Sequence, residues 1–459
     1  MSDTLQTSLP AETQESTPFS GGAEAGALYE RAVDRLLRFH PDVVELASVL
    51  TAEHAHAPMG HALMAYLSLM STDTADLVDA RQELATLAAS ASLNPRERAH
   101  RDAIAAWAAG DWFGAARVLD DLLVQWPTDL LALAIGHQLD FFLADAAELR
   151  DRPGRTLARL DPQHPHTGFV RGMQAFGLEE SGHYAMAEEA GLAAVDANPD
   201  DVWGVHAVAH TFEMQGRVDD GIRFMESRRA DWGEGNMFTV HNWWHLALYY
   251  LEHGRHADVL ALYDERIHNT GSAGVSLELL DASALLARLA IDGVDTEGRF
   301  GPLASAWESR VSADPWYSFN DFHAVVALAG AGRIDDANAV VARLEHVAAG
   351  DPDPRRTNVM MTTDVGLPVS RAAIAFFEGR DSDVVDTLLP IRRIITRFGG
   401  SHAQRDLPAR MLVQAAIRAG RHDLARALLD ERLALRPNST FALDRRTALD
   451  EADASNRTP

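Results

Sequence analysis

Along most of the chain the apolar residues recur at steps of three and four, and Gly and Pro fall between the segments that carry them. Alternating β-branched runs are scarce. That pattern predicts helices and no sheet. A chain built only of helices is next tested for a fixed period, because stacked helix pairs are not recognisable one helix at a time.

The stretch "GFVRGMQAFGLEESGHYAMAEEAGLAAVDANP" supplies the unit: Gly182 ends one helix, Ala187 and Ala194 lie in the next, and Pro199 closes it. A shift of 34 residues lands Gly216 on Gly182 and puts Ala209 at the small-residue position of the first helix. These spacings resemble the tetratricopeptide repeat. The same template fits around Gly110, Gly254, Gly332 and Gly420. Each pair needs small residues where its helices cross and a Gly at its turn. The expected fold is an all-α tetratricopeptide-like solenoid closing around a concave pocket. We expect one such domain over residues 26–450, a disordered arm over 1–25 rich in Ser, Thr, Gln and Pro, and a disordered tail over 451–459.

Composition narrows the function classes. With 41 basic against 67 acidic residues the formal charge is −26, which argues against nucleic acid and anionic membrane partners, since both call for a basic surface. No apolar stretch approaches a membrane span, and the N-terminus has no signal-peptide pattern. There is no cysteine, so thiolate nucleophiles, zinc–thiolate sites and iron–sulfur clusters are excluded, and a cytoplasmic location is the simplest expectation. Every basic residue is arginine, which removes P-loop and Schiff-base lysine chemistry. A homodimer is compatible with all of this.

In repeats of this type the first helix of each pair lines the groove; by that resemblance His206, His210 and Glu213 face it, as do His241, Trp244 and, from the preceding repeat, Glu179. Helical geometry agrees: steps of four and seven residues leave His206, His210 and Glu213 within about 60° of arc. In "HNWWHLALYYLEHG" His241 and His245 form a second i, i+4 pair. Imidazole with carboxylate is a ligand set for a divalent metal such as zinc or iron. The competing expectation is a set of hydrogen-bonded core histidines.

"HAVAHTFEMQGR", "HNWWHLAL", "LLDASALL", "FNDFHAVVAL" and "GGSHAQRDL", in this order, resemble the tetratricopeptide repeat protein 38 family from about residue 30 to 440. The resemblance supports fold and site position and implies no settled reaction. Its motifs map onto the residues above and onto Asp281, Asp321, His323, His402, Gln404, Arg405 and Asp406. In "LLDASALLARL" the chain carries Ala287 where an aromatic is expected of relatives. A solenoid that winds far enough would bring "GGSHAQRDL" over the middle repeats.

Together these readings point to a small-molecule ligand site. The expected metal ligands are His206, His210, His241, His245 and His323. Glu213 or Glu179 is the expected general base, His402 and Arg405 the further catalytic groups, and Trp244, Asp281, Asp321, Gln404 and Asp406 the pocket wall. Metal-dependent hydrolysis or oxidation follows from that set, and metal-free histidine catalysis belongs to the same class. A non-catalytic peptide- or protein-binding adaptor is the alternative, together with a structural subunit.

Overall fold

The computed structural model describes residues 17–311, 314–350, 353 and 355–457; among them there are helices and no strands. The helices pack as consecutive antiparallel pairs, a tetratricopeptide-type array. Thr167–Glu180 pairs with Tyr184–Ala197, Val202–Met214 with Val218–Ser227, and His402–Arg418 with His422–Leu435. No helix of the described residues is long and apolar enough to cross a membrane.

The local devices are those the sequence spells. Asp111, Asp129, Asp145 and Asp201 each precede a helix and accept a backbone N–H of its first turn, satisfying a donor that has no partner within the helix. Gly110, Gly182, Gly216, Gly254, Gly332 and Gly420 all take positive φ at the pair turns. Ala187 and Ala194 are fully buried at the helix crossing, and the nearby Gly191 lies so close to Val208 that a methyl there would clash at 2.6 Å.

The array winds back on itself. Trp112 N–H donates to Thr357 Oγ1 at 3.0 Å, Asn320 Nδ2 to Thr72 Oγ1 at 2.9 Å, and Tyr317 Oη to the Phe142 carbonyl at 3.1 Å. The His402–Arg418 helix then enters the concave side and packs against Val202–Met214 and Ser276–Ile291. Gly399 and Gly400 make that entry possible: both have positive φ, and a Cβ would lie 2.2 Å from the Phe142 carbonyl oxygen at the first and 2.6 Å from the Phe319 ring at the second.

Two boundaries differ from expectation. Residues 1–16 of the expected arm lie outside the described residues, but Gly22–Leu37 is a helix, and Phe19 packs at a tilt against Tyr29 with ring centroids 5.3 Å apart. Ser20 donates its backbone N–H to Glu97 at 2.8 Å, so the ordered array begins before residue 25. One aromatic anchor outweighs the polar composition around it. The last helix, Thr440–Arg457, likewise runs beyond residue 450.

Candidate metal centre

Two i, i+4 pairs on neighbouring inner helices meet face to face. His206 and His210 come from Val202–Met214, and His241 and His245 from Thr239–Glu252. One ring nitrogen of each lies within 4.8 Å of one from every other. His241 Nε2 stands 3.2 Å from His206 Nε2 and 3.2 Å from His245 Nε2. Phe176, Trp203, Phe238 and Trp244 pack around the imidazoles; Trp203 reaches His206 at 4.8 Å between centroids and Trp244 reaches His245 at 4.9 Å. His206, His210 and His245 are fully buried, and the side chain of His241 is 11% exposed. The imidazoles fill the space between the helices, which is a different arrangement from the open pocket wall that the sequence suggests.

Carboxylates fix the orientation of these rings. Asp281, fully buried on Ser276–Ile291, lies 2.7 Å from His241 Nδ1, and Glu213 lies 3.3 Å from His245 Nδ1. A carboxylate accepts, so both Nδ1 atoms carry the proton and both Nε2 atoms present lone pairs to each other. Two lone pairs at 3.2 Å repel unless a cation or a proton lies between them. Burial, followed by the charge of the neighbouring imidazoles, holds His206 and His245 well below the usual histidine range, which disfavours the shared proton. A tetrahedral metal with bonds of about 2.1 Å sets its ligand nitrogens about 3.4 Å apart, close to the observed spacing. Histidine ligands whose other nitrogen donates to a carboxylate are the usual supporting arrangement for such a centre.

A second polar group adjoins the first. Glu179 Oε2 lies 3.4 Å from His210 Nδ1, and Glu179 Oε1 lies 3.3 Å from His402 Nδ1. Neither Glu179 Oε2 nor either nitrogen of His210 makes a hydrogen bond. Burial opposes the charge on Glu179, yet the imidazoles of His210 and His402 hold its carboxyl below the usual range. For His402, burial is outweighed by Glu180 and Glu179, which hold it above the usual range. His402 is the solvent edge of this group, with its side chain 34% exposed.

Other residues singled out from the sequence lie apart. His323 donates its Nδ1–H to the Phe319 carbonyl of its own helix at 2.8 Å and packs between Phe319 and Phe322; it does not join the four imidazoles, because its helix turns that face toward Phe398. Asp321 faces a small cavity beside Thr72, Asp73 and Ser276, and burial pushes its carboxyl up to about 7. Gln404 forms a capping box with Ser401, which occupies its side chain in starting the helix. Arg405 donates to Glu180 at 2.8 Å and to the Gly400 carbonyl, so it ties down the closing segment. Asp406 is held by Arg410 at 2.7 Å and by Arg432 at 2.9 Å. Trp244 does flank the centre: it stacks on His241 at 5.3 Å, with the Arg288 guanidinium over its ring at 5.4 Å.

Sequence reasoning missed Glu180 and Arg288. Glu180 accepts the His402 backbone N–H at 2.7 Å and pairs with Arg405; it follows Glu179 directly and occupies the next groove position of the repeat, a signal that was available. Arg288 is buried and donates to the Ala284 carbonyl at 3.1 Å and the Ala403 carbonyl at 2.6 Å. Its place beside Ala287 in an apolar helix gave no such signal.

No family model matches the chain. Among solved structures, it is similar to the human IFIT1 dimer with m7Gppp-AAAA and the same dimer with PPP-AAAA, each at 13% identity, 94% of this chain, 95% of the other and a TM-score of 0.39. An IFIT1 monomeric mutant with Gppp-AAAA is similar at 13% identity, 94% of this chain, 95% of the other and a TM-score of 0.40. A likeness of that degree carries no inference about reaction or ligand for this chain. The expectation that net charge excludes nucleic-acid partners is withdrawn; the neighbours themselves are solved with capped or triphosphate oligonucleotides. The physical reason is that a summed charge does not fix the local field: in this acidic chain Arg410, Arg432 and Arg436 gather around Asp406.

Proposed function

We propose that this tetratricopeptide-type repeat protein is metal-dependent: one divalent transition metal, zinc or iron, is held by three of the imidazoles of His206, His210, His241 and His245, leaves a coordination position open to water, and acts on a small molecule. The observation that carries this reading is that the Nε2 atoms of His206 and His245 each stand 3.2 Å from that of His241, with the far nitrogens of His241 and His245 donating to Asp281 and Glu213. Imidazole suits zinc, copper, iron and nickel. A bound metal would supply Lewis acidity and a bound water ionised near neutral pH. Glu213 is engaged in orienting His245, which leaves Glu179, kept ionised by His210 and His402, as the carboxylate suited to orient a water. His402, bonded to Glu179, held above the usual histidine range and open to solvent, is suited to take up the water's proton and pass it outward. This arrangement favours hydrolysis. The adaptor alternative calls for an open groove, whereas here the His402–Arg418 helix packs into the concave side.

The test is elemental analysis and nitrogen-ligand X-ray absorption on untagged protein purified without chelator, beside the His206→Ala, His245→Ala double variant. Close to one metal per chain in the wild type, an imidazole-type spectrum, and none in a double variant of unchanged helical content are expected. Wild-type protein that takes up neither zinc nor iron(II) would sink the reading.

A further inference from the structure

The His402–Arg418 helix is flanked by Asp381–Ile391 and His422–Leu435, and residues of all three line a cavity of about 280 Å³. Its walls are chemically divided. Leu388, Ile391, Leu412 and Leu428 form one side, and Leu435, 78% exposed, stands at its lip. An exposed leucine at the mouth of an apolar cavity leaves that surface in water unless something covers it.

The other end is cationic. Asp406 and Glu252 hold Arg410 and Arg432 in close ion pairs, whereas Glu213, the other buried carboxylate whose charge Arg436 feels, makes no hydrogen bond with it. Arg436 is the one left over: its nearest carboxylate oxygen is 3.7 Å away, and its Nη2 donates to the Met214 sulfur, a weak acceptor. Arg392, also in the cavity wall, donates to the Leu389 carbonyl at 3.2 Å and lies 3.7 Å from Glu431 of the same wall, while its buried Nε–H is unpartnered. A guanidinium without a hydrogen-bonded anion, partly removed from water, favours a ligand that brings one.

We propose that this cavity binds a free amphipathic carboxylic acid, its carboxylate against Arg436 and Arg392 and its aliphatic chain along Leu388, Leu412, Leu428 and Leu435. The cavity volume, at the small end of ligand sites, limits the chain to medium length. The inference is independent of the metal reading, since the cavity contains none of the four histidines.

The experiment is isothermal calorimetry of the whole chain with decanoate, butyrate and decanol, on the wild type and on Arg436→Gln and Leu435→Asp. Decanoate should bind at one per chain, with butyrate and decanol each roughly ten-fold weaker or more, because one lacks the tail and the other the charge. Each variant should weaken decanoate by a similar factor, and Leu435→Asp, at an exposed position, keeps the fold as a control. Absence of saturable decanoate binding would overturn the proposal, as would decanol binding equal to decanoate. Binding unchanged in both variants would place decanoate elsewhere and overturn it as well.

Discussion

Asp281→Asn isolates the orienting carboxylate from the metal ligands. Asp281 is fully buried; one oxygen lies 2.7 Å from His241 Nδ1, and the other has no hydrogen-bond partner. The amide keeps an acceptor for the Nδ1–H, so the tautomer survives, but the negative charge that makes His241 a better donor to a metal is lost. The buried amide NH2 also takes the place of an unpartnered oxygen. Loss of such a supporting partner weakens metal affinity by about 10–100-fold. We expect about 30-fold, near 2 kcal/mol, because the hydrogen bond is kept while the charge is not. Competition titration of the apoprotein with a chromophoric chelator reads this directly. At fixed excess metal the same loss appears as about 2 kcal/mol less metal-induced stabilisation, while the metal-free melting curves change far less. Equal destabilisation of the variant with and without metal, and an affinity within two-fold of wild type, would refute the reasoning and make Asp281 a plain helix-bridging residue.

Asp201 caps its helix through Gly204 N–H, and burial pushes its carboxyl up to about 8. A carboxyl raised above its unfolded value of about 3.9 costs stability as pH rises from about 4 to 8, so Asp201→Asn should raise the melting temperature at pH 8, with the gain shrinking toward pH 5; a gain that grows on acidification would contradict this. Glu180→Gln breaks the buried pair with Arg405 and should cost about 3 kcal/mol locally, the low end of the range for such pairs because an acceptor for the His402 N–H remains. Hydrogen exchange over residues 399–405 should quicken, and unchanged protection there would count against the closing role of this pair. Gly400→Ala should destabilise by more than Gly182→Ala: both carry positive φ, costing about 1–2 kcal/mol, but only Gly400 has a ring 2.6 Å from the new methyl. Equal melting temperatures for the two variants would refute the close-approach argument.

Much of the candidate site was readable from spacing. His206 with His210, and His241 with His245, share faces because four residues make about one helical turn, and the 34-residue period sets their helices side by side. Asp281 entered only through the family resemblance, since nothing in "LLDASALL" says which neighbour its carboxylate reaches. His323 and Asp321 were drawn in by the same resemblance, and here residue type misled: a histidine on an inner helix face bonds as readily to its own backbone, as His323 does with Phe319. Arg405 and Asp406 are neighbours in the sequence, but adjacent helical residues point apart, so each has a different partner.

By itself the sequence determined the helices, their pairing and the turns, because apolar period, capping aspartates and left-handed glycines act within a few residues of themselves. It also determined which imidazoles share a helix face. Only the tertiary structure decided how far the array winds, and hence that Gly399 and Gly400 carry the His402–Arg418 helix into the concave side, more than 200 residues from the Glu179 and Glu180 it meets. That outcome depends on small rotations summed over every repeat and on contacts such as Trp112 with Thr357, which no local pattern encodes. The divided charge of the cavity beside Arg436 arises in the same way, from three helices whose arginines and carboxylates are assigned to one another only when the array closes.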